Sequence, residues 1–359
     1  MTVETHVVTA TIDPGGLNLS APIESGPLTM DAGWSPYTQG TIVVPMDVGD
    51  LSGYLPGTVL RVRITASAVE DPANTQTWEV HARHIRKDRL AGTYTIQVSS
   101  DEALIVDWGA RMSSLAFASP GPLGSICNDV LIETLGTDGD GVGADAPFLE
   151  IDDHLRVWPA GMPAWDYLST ICNSLDGRIL FQEPDGTWSI RKNSTTWDAA
   201  PVGIPAPDDA LSYVEEWSRE SDYANAVTVE FTGGDPGYTT IAVPGSDPAV
   251  SVQVPIRRYG NFWLPTSSSV KPALAKAYDT STTVTRDHPE ARRDLYAEYV
   301  EHRRRNLGYF LTWRTVSHYG LQPRQAIGDT EMFVDRVTHD LGTNEMTVSA
   351  HLPYTGEPV

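Results

Sequence analysis

The sequence predicts a mainly β (α+β) protein: two β-barrel or sandwich domains, a small α+β module between them, and a helical insertion in the second barrel. Three observations carry this expectation. First, 30 Gly and 26 Pro are spread along 359 residues, a density that favours short strands and turns. Second, most apolar runs alternate with polar residues, the period of a half-buried strand. Third, apolar residues recur at helical spacing in only a few segments, most of them away from the termini. Hydrophobic residues make up 40% of the chain, with 10 Trp and 14 Tyr, enough for several cores and too much for global disorder. At this length two or three domains are expected.

Residues 1–108 read as the first β-domain. Thr41 to Val44 is a short strand stopped by Pro45. Leu60, Val62 and Ile64 share one face of the next strand, with Arg61 and Arg63 on the other. Trp78 to Ile85 and Thr93 to Val98 are two more strands, joined by a polar turn containing Arg86, Lys87, Asp88, Arg89 and Gly92.

Residues 109–197 read as the α+β module. Leu123, Ile126, Cys127, Val130, Leu131 and Leu135 form a helical stripe that Gly136 ends. Trp165, Leu168, Ile171, Cys172 and Leu175 form a second stripe, stopping at Gly177. Ile179 to Phe181 and Trp188 to Ile190 then flank Pro184-Asp-Gly186, a hairpin with a left-handed glycine.

Residues 198–359 read as the second β-domain, entered through a linker at 198–210 rich in Pro, Ala and Asp. Val227, Val229 and Phe231 alternate, as do Val250, Val252 and Val254. The helical insertion is placed at about 261–308. Its helix starts at Pro289, behind Asp287 and His288, and carries Leu295, Tyr296, Tyr299 and Val300. Tyr309 to Val316, Met332 to Val337 and Met346 to Leu352 are the closing strands, with Asp340 to Asn344 as a turn.

The net charge of −22 disfavours a duplex-DNA groove, which needs clustered Lys and Arg. The acidity is uneven: residues 1–60 hold no Lys or Arg, and residues 193–256 hold Arg219 alone against ten acids. No signal peptide or membrane span is readable, so synthesis in a cytoplasm without membrane insertion is expected. Cys127 and Cys172 read as small buried hydrophobes, with a single disulfide between them as the alternative.

The chemical motifs fail one by one. The loop with Asp138, Asp140 and Asp145 has Val142 and Leu149 where a calcium loop needs an oxygen ligand and a glutamate. His81 and His84 fall on opposite faces of a strand, which is poor for a shared metal. Adjacent acids such as Asp152-Asp153, Asp208-Asp209 and Glu215-Glu216 arise readily among 47 acids. No nucleophile elbow or phosphate-binding loop occurs. Arg292-Arg293 and Arg303-Arg-Arg305 read as a solvated helix face balanced by Glu290, Asp294, Glu298 and Glu301, with a salt-bridged contact to a neighbouring acidic subunit as the alternative. Trp34, Trp108, Trp158, Trp217, Trp263 and Trp313 read mostly as core, with a share available for subunit contacts. No catalytic, cofactor-binding or metal-ligating residue is assigned, and interface residues are not assignable from the sequence.

Three segments in order carry a resemblance. The first is Pro163-Ala-Trp165-Asp-Tyr-Leu168 through Leu180-Phe181 and Pro184-Asp-Gly186-Thr-Trp188-Ser-Ile190. The second is Tyr223-Ala-Asn225 to Phe231-Thr-Gly233. The third is Leu321-Gln-Pro323 to Gly328-Asp329, with Val334 to His339 and Met346-Thr-Val348. Together they resemble the bacteriophage tail hub proteins of long-tailed phages. The opening Gly33-Trp34-Ser-Pro-Tyr37 is similar to minor tail proteins of actinobacterial phages. The resemblance spans roughly residues 30–352. It implies a non-enzymatic structural protein of the virion tail tip, without cofactors. It implies a homotrimer whose two barrels per subunit make a pseudo-sixfold ring. The implied partners are a distal tail ring protein, a tape measure protein and other tail-tip or receptor-binding proteins, with DNA only in transit. A distal ring subunit or a receptor- or carbohydrate-binding tail protein is the alternative. The chain stops at Val359 without an appended wall-cutting domain, so such an activity is not expected.

Overall fold

A computed structural model describes residues 5–13, 18–51, 58–117, 122–136, 142, 156–176, 178–192, 210–217, 226–232, 237–242, 251–259, 262–265, 269–273, 309–325 and 333–351. The first strands are β1 His6–Asp13, β2 Leu19–Pro22, β3 Pro27–Asp31, β4 Thr38–Pro45, β5 Arg61–Ala68, β6 Thr75–Asp88 and β7 Thr93–Ser99. Three helices follow, α1 Glu102–Trp108, α2 Leu123–Leu135 and α3 Ala164–Asp176, with the two-residue strands β8 Leu115–Ala116 and β9 Val157–Trp158 between them. The hairpin is β10 Arg178–Gln182 and β11 Trp188–Lys192. Next come β12 Ser212–Trp217, β13 Ala226–Thr232, β14 Gly237–Ala242, β15 Ser251–Tyr259, β16 Phe262–Pro265 and β17 Ser269–Ala273. The chain closes with β18 Tyr309–Val316, β19 Phe333–Asp340 and β20 Glu345–His351.

The mainly β, α+β class follows the sequence. The strand layout is less divided than expected. One sheet of 11 strands runs β12-β18-β20-β19-β3-β4-β7-β6-β5-β1-β2, so strands from both expected β-domains lie side by side. The junction is β3 against β19, antiparallel, with Met30 opposite Val337 and Leu28 opposite His339. The strand path is open and no closed barrel forms among the described residues. The β2 end nevertheless curls back. The Ile23 amide donates to Val8 O, and Glu24 and Ser25 exchange backbone hydrogen bonds with Val43 of β4. A separate sheet holds β14-β13-β15-β16, with β17 also on β15.

Alternation explains the sheet core. Leu60, Val62 and Ile64 are buried while Arg61 and Arg63 are exposed, as the period of two demands. The same core takes Trp78, Ile96, Trp313, Val337 and Val348 from strands far apart in sequence. A second core gathers α1, α2 and α3 around Trp158 and Tyr167, whose rings stack 5.7 Å apart. The β10–β11 hairpin serves both cores. Phe181 faces the sheet core, and Leu180, Trp188 and Ile190 face the helical one.

The helix ends are chemically marked. Pro122 precedes α2 in extended conformation, and Gly136 ends it at φ 69 with its amide on Ile132 O at 2.9 Å. In the hairpin turn, Gly186 takes φ 91, the left-handed role expected of it.

Several expectations meet a different outcome. The helical insertion expected from 261 begins instead as strands, β16 and β17, which pair with β15 as far as Ala273. β-propensity explains the swap, because Phe262-Trp-Leu264 and Val270 suit a pleated surface better than a helix. The helix expected from Pro289, with its arginine clusters, lies outside the described residues, as does the linker up to residue 209. Of the aspartate loop only Val142 is described. α1 packs on α2 and α3, so the helical core draws on residues before 109.

Candidate assembly surfaces and the polar joint

No helix among the described residues is long and apolar enough to cross a membrane. Among the same residues, no group of three or more His, Cys, Asp or Glu side chains is placed to hold a metal. His81 and His84 lie in different settings. A β-bulge falls between Ala82 and His84, His81 is buried, and His84 is exposed.

The densest polar cluster is a joint between sheet and helical core. Asp101 ends the turn after β7 and opens α1. Both of its carboxylate oxygens accept from Arg61 Nη1 at 2.6 Å. His81 Nδ1 lies 3.2 Å from Asp101 Oδ1. Gln182 at the end of β10 completes the joint. Its Oε1 accepts the Asp101 amide at 2.7 Å, its Nε2 donates to Asp101 Oδ2 at 3.2 Å, and its own amide donates to Glu102 Oε1 at 2.9 Å. One turn further on, the Glu79 amide donates to Pro184 O at 2.7 Å. The hairpin is therefore fixed to β6 and α1 by hydrogen bonds that burial keeps from water.

The two acids of the joint are held in opposite senses. Burial alone would raise Asp101, but hydrogen bonds from His81 and Arg61 outweigh it and hold this carboxyl below its ordinary range. Glu102 is fully buried, and that burial pushes its carboxyl up to about 7 against the weaker opposing hydrogen bonds of Ser100 and Gln182. The sequence carries a local signal for this site. Ser99-Ser-Asp101-Glu102 before Ala-Leu-Ile-Val is a helix-start pattern.

The seam between β3 and β19 is the second ordered feature. Arg336 Nε donates to Asp31 Oδ2 at 2.6 Å, and its guanidinium lies 4.6 Å from the centroid of the Trp34 ring. Arg324 Nη1 donates to Asp335 Oδ1 at 2.9 Å. Behind the seam, Trp78, Tyr319 and His339 pack ring to ring at 5.4–6.2 Å. Burial, with the nearby His318, holds His339 down at about 3, so it sits in the core as a neutral ring. Asn74 ties the β5–β6 turn to the closing region, donating to Ser317 O at 2.9 Å and accepting the Tyr319 amide at 2.6 Å. Of the tryptophans singled out, Trp158 and Trp313 are buried, Trp108 packs partly on the helical core, and Trp34 is 40% exposed. The side chains of Trp217 and Trp263 lie outside the description.

The third feature is the other end of the sheet. β12 pairs only with β18 among the described strands, and residues 211–216 are all exposed. Leu211, Tyr213 and Val214 are large apolar side chains among them, Val214 at 51% exposure. Glu215 and Glu216 follow. A terminal strand with apolar side chains in water is a template for pairing with another chain, and charges at its end limit promiscuous pairing.

No protein-family model matches the sequence, and no curated protein matches it. Solved structures do match in fold. The tail protein from Neisseria meningitidis MC58 is 15% identical, with 97% of each chain covered and a TM-score of 0.61. The 43 kDa tail protein of prophage MuSo2 from Shewanella oneidensis is 11% identical, with 98% of this chain and 100% of that chain covered and a TM-score of 0.59. The prophage tail protein gp18 from Listeria monocytogenes EGD-e is 7% identical, covering 96% and 94%, with a TM-score of 0.51. At these identities the shared property is the fold.

Proposed function

We propose that this chain is a non-enzymatic structural subunit of a phage tail, assembling with copies of itself into a ring at the tail tip. The observation that supports this best is the fold agreement over 97% of this chain and 97% of the Neisseria tail protein. In this reading the subunit is one of three in a hub. It joins a distal tail ring to the tip proteins, meets the tape measure protein, and lets DNA pass. The net charge of −22 then has a physical use. Carboxylates along the bore repel phosphates over about 8–10 Å at moderate salt, so DNA slides without sticking.

The open β12 edge is the surface on which we place the contact with a second copy. The β2 end is already folded against β4, so two copies meeting through unlike surfaces make a head-to-tail contact, the kind that closes rings. The test is the mass and symmetry of the purified full chain. Three times 39.1 kDa and threefold averages by electron microscopy are expected. A sixfold ring would assign the chain to the distal ring instead. A monomer at micromolar concentration overturns the self-assembling reading.

A further inference from the structure

We infer that Cys127 and Cys172 form a modification site, an intramolecular disulfide that closes after the protein leaves the reducing compartment in which it is made. The chain has only two cysteines in 359 residues. They lie on different helices, 45 residues apart, yet their Sγ atoms are 3.9 Å from each other and both side chains are buried. Two residues placed without regard to one another rarely meet. A need for small side chains at this contact would be met as well by Ala at either position, as Ala164 meets it elsewhere in the same core.

The geometry is near that of a bond. A disulfide requires about 2.05 Å between sulfurs, so the gap to close is roughly 1.9 Å, within reach of side-chain rotation and a small helix shift. The link would join α2 to α3 and enclose residues 128–171 in one covalent loop. Both helices pack on α1, which carries the joint to the sheet.

The chemistry balances with a two-electron oxidant such as hydrogen peroxide. One sulfur attacks the peroxide O–O bond, giving a sulfenic acid and water. The second sulfur displaces hydroxide from it, forming the S–S bond. Two S–H bonds and one O–O bond break, two waters leave, and the peroxide is reduced. Burial pushes the Cys127 thiol up, and the neighbouring Cys172 adds to this. Thiolate is therefore scarce and closure is slow, which keeps the pair reduced during synthesis. The usefulness of the link rests on the tail reading, because a virion part is made in a cytosol and works outside it.

The experiment uses the full chain, reduced and then exposed to hydrogen peroxide for hours. Intact mass should fall by about 2 Da, the mass of the two thiol hydrogens lost. Both thiols should become unreactive to alkylation in denaturant, and one peptide linking Cys127 to Cys172 should appear. The thermal midpoint should rise by about 5 °C. Cys172→Ala should show neither the linked peptide nor the rise. Persistence of two alkylatable thiols, disulfides only between chains, or over-oxidised thiols without the linked peptide each overturns the inference. The wild-type mass alone decides this if the variant does not fold. The result is independent of the ring, since the link lies within one chain and ring symmetry is read without oxidant.

Discussion

The two ends of the long sheet solve the same problem in opposite ways. β2 has four residues, ends in Pro22, and hands the chain on to β4 through the Ser25–Val43 bridge. β12 has six residues, pairs along β18 in unbroken register, and shows the side chains of residues 212–216 to water. One end hands the chain on to β4, and the other has β18 as its one partner among the described strands. The contrast teaches that the two ends of one sheet can be met differently, and under the proposed ring the β12 edge is where a second copy pairs.

Breaking the finished end should have the largest effect. Gly26 sits at φ +133, and a Cβ there would lie 1.9 Å from Thr41 O. Gly26→Ala must push β4 away from the turn that closes the β2 end. A loss of about 4 kcal/mol in urea unfolding is expected, from strain and overpacking together.

The joint between the sheet and the helical core responds to pH instead of to either end. Glu102 has a folded value raised to about 7. Its contribution is therefore full below its ordinary value of 4.5 and is lost as pH rises through 7. Glu102→Gln removes the charged form. The variant should exceed the wild type by roughly 3 kcal/mol at about pH 9, and the difference should shrink towards zero as pH falls below the ordinary range. Chemical denaturation across pH measures this. Asp101 works with the opposite sign, because its carboxyl is held low and its contribution disappears only in acid.

Changing the open end should spare the fold and cost the assembly. Val214→Asp alters an exposed side chain, so subunit stability should move by less than about 0.5 kcal/mol. A charge placed in a subunit contact should weaken association by about 100-fold, read from mass as a function of concentration. The smallest effect is expected at the finished end. Ser20→Asp, on an exposed position of β2, should change neither association nor stability by more than about 0.5 kcal/mol. Equal sensitivity at Ser20 and Val214 would erase the contrast.

Much of this architecture is legible residue by residue. The alternation around Leu60 to Ile64, the stripe from Leu123 to Leu135 and the turn at Gly186 each have a local cause, so local pattern finds them. The seam does not. Pairing of Met30 with Val337 leaves no mark in either segment, because register between distant strands is fixed by the packed core. α1 escaped because seven residues are too few to show a helical period, and Ala-Leu-Ile-Val-Asp-Trp satisfies a strand as readily. The joint escaped with it, since Asp101 and Gln182 are 81 residues apart and meet only once the hairpin folds back. The thiol contact lay hidden for the same reason. Each cysteine was visible as a buried position on its own helix, and their meeting depends on how α2 crosses α3.

The seam also sets a timetable for birth on the ribosome. Asp31 waits for Arg336, 305 residues later in the chain. At about 5–20 residues per second, β3 emerges roughly 15–60 s before its partner exists. Throughout that interval β4 is the one described neighbour of β3 that has been made. Only once β18 to β20 have been made can β19 cover the other flank of β3.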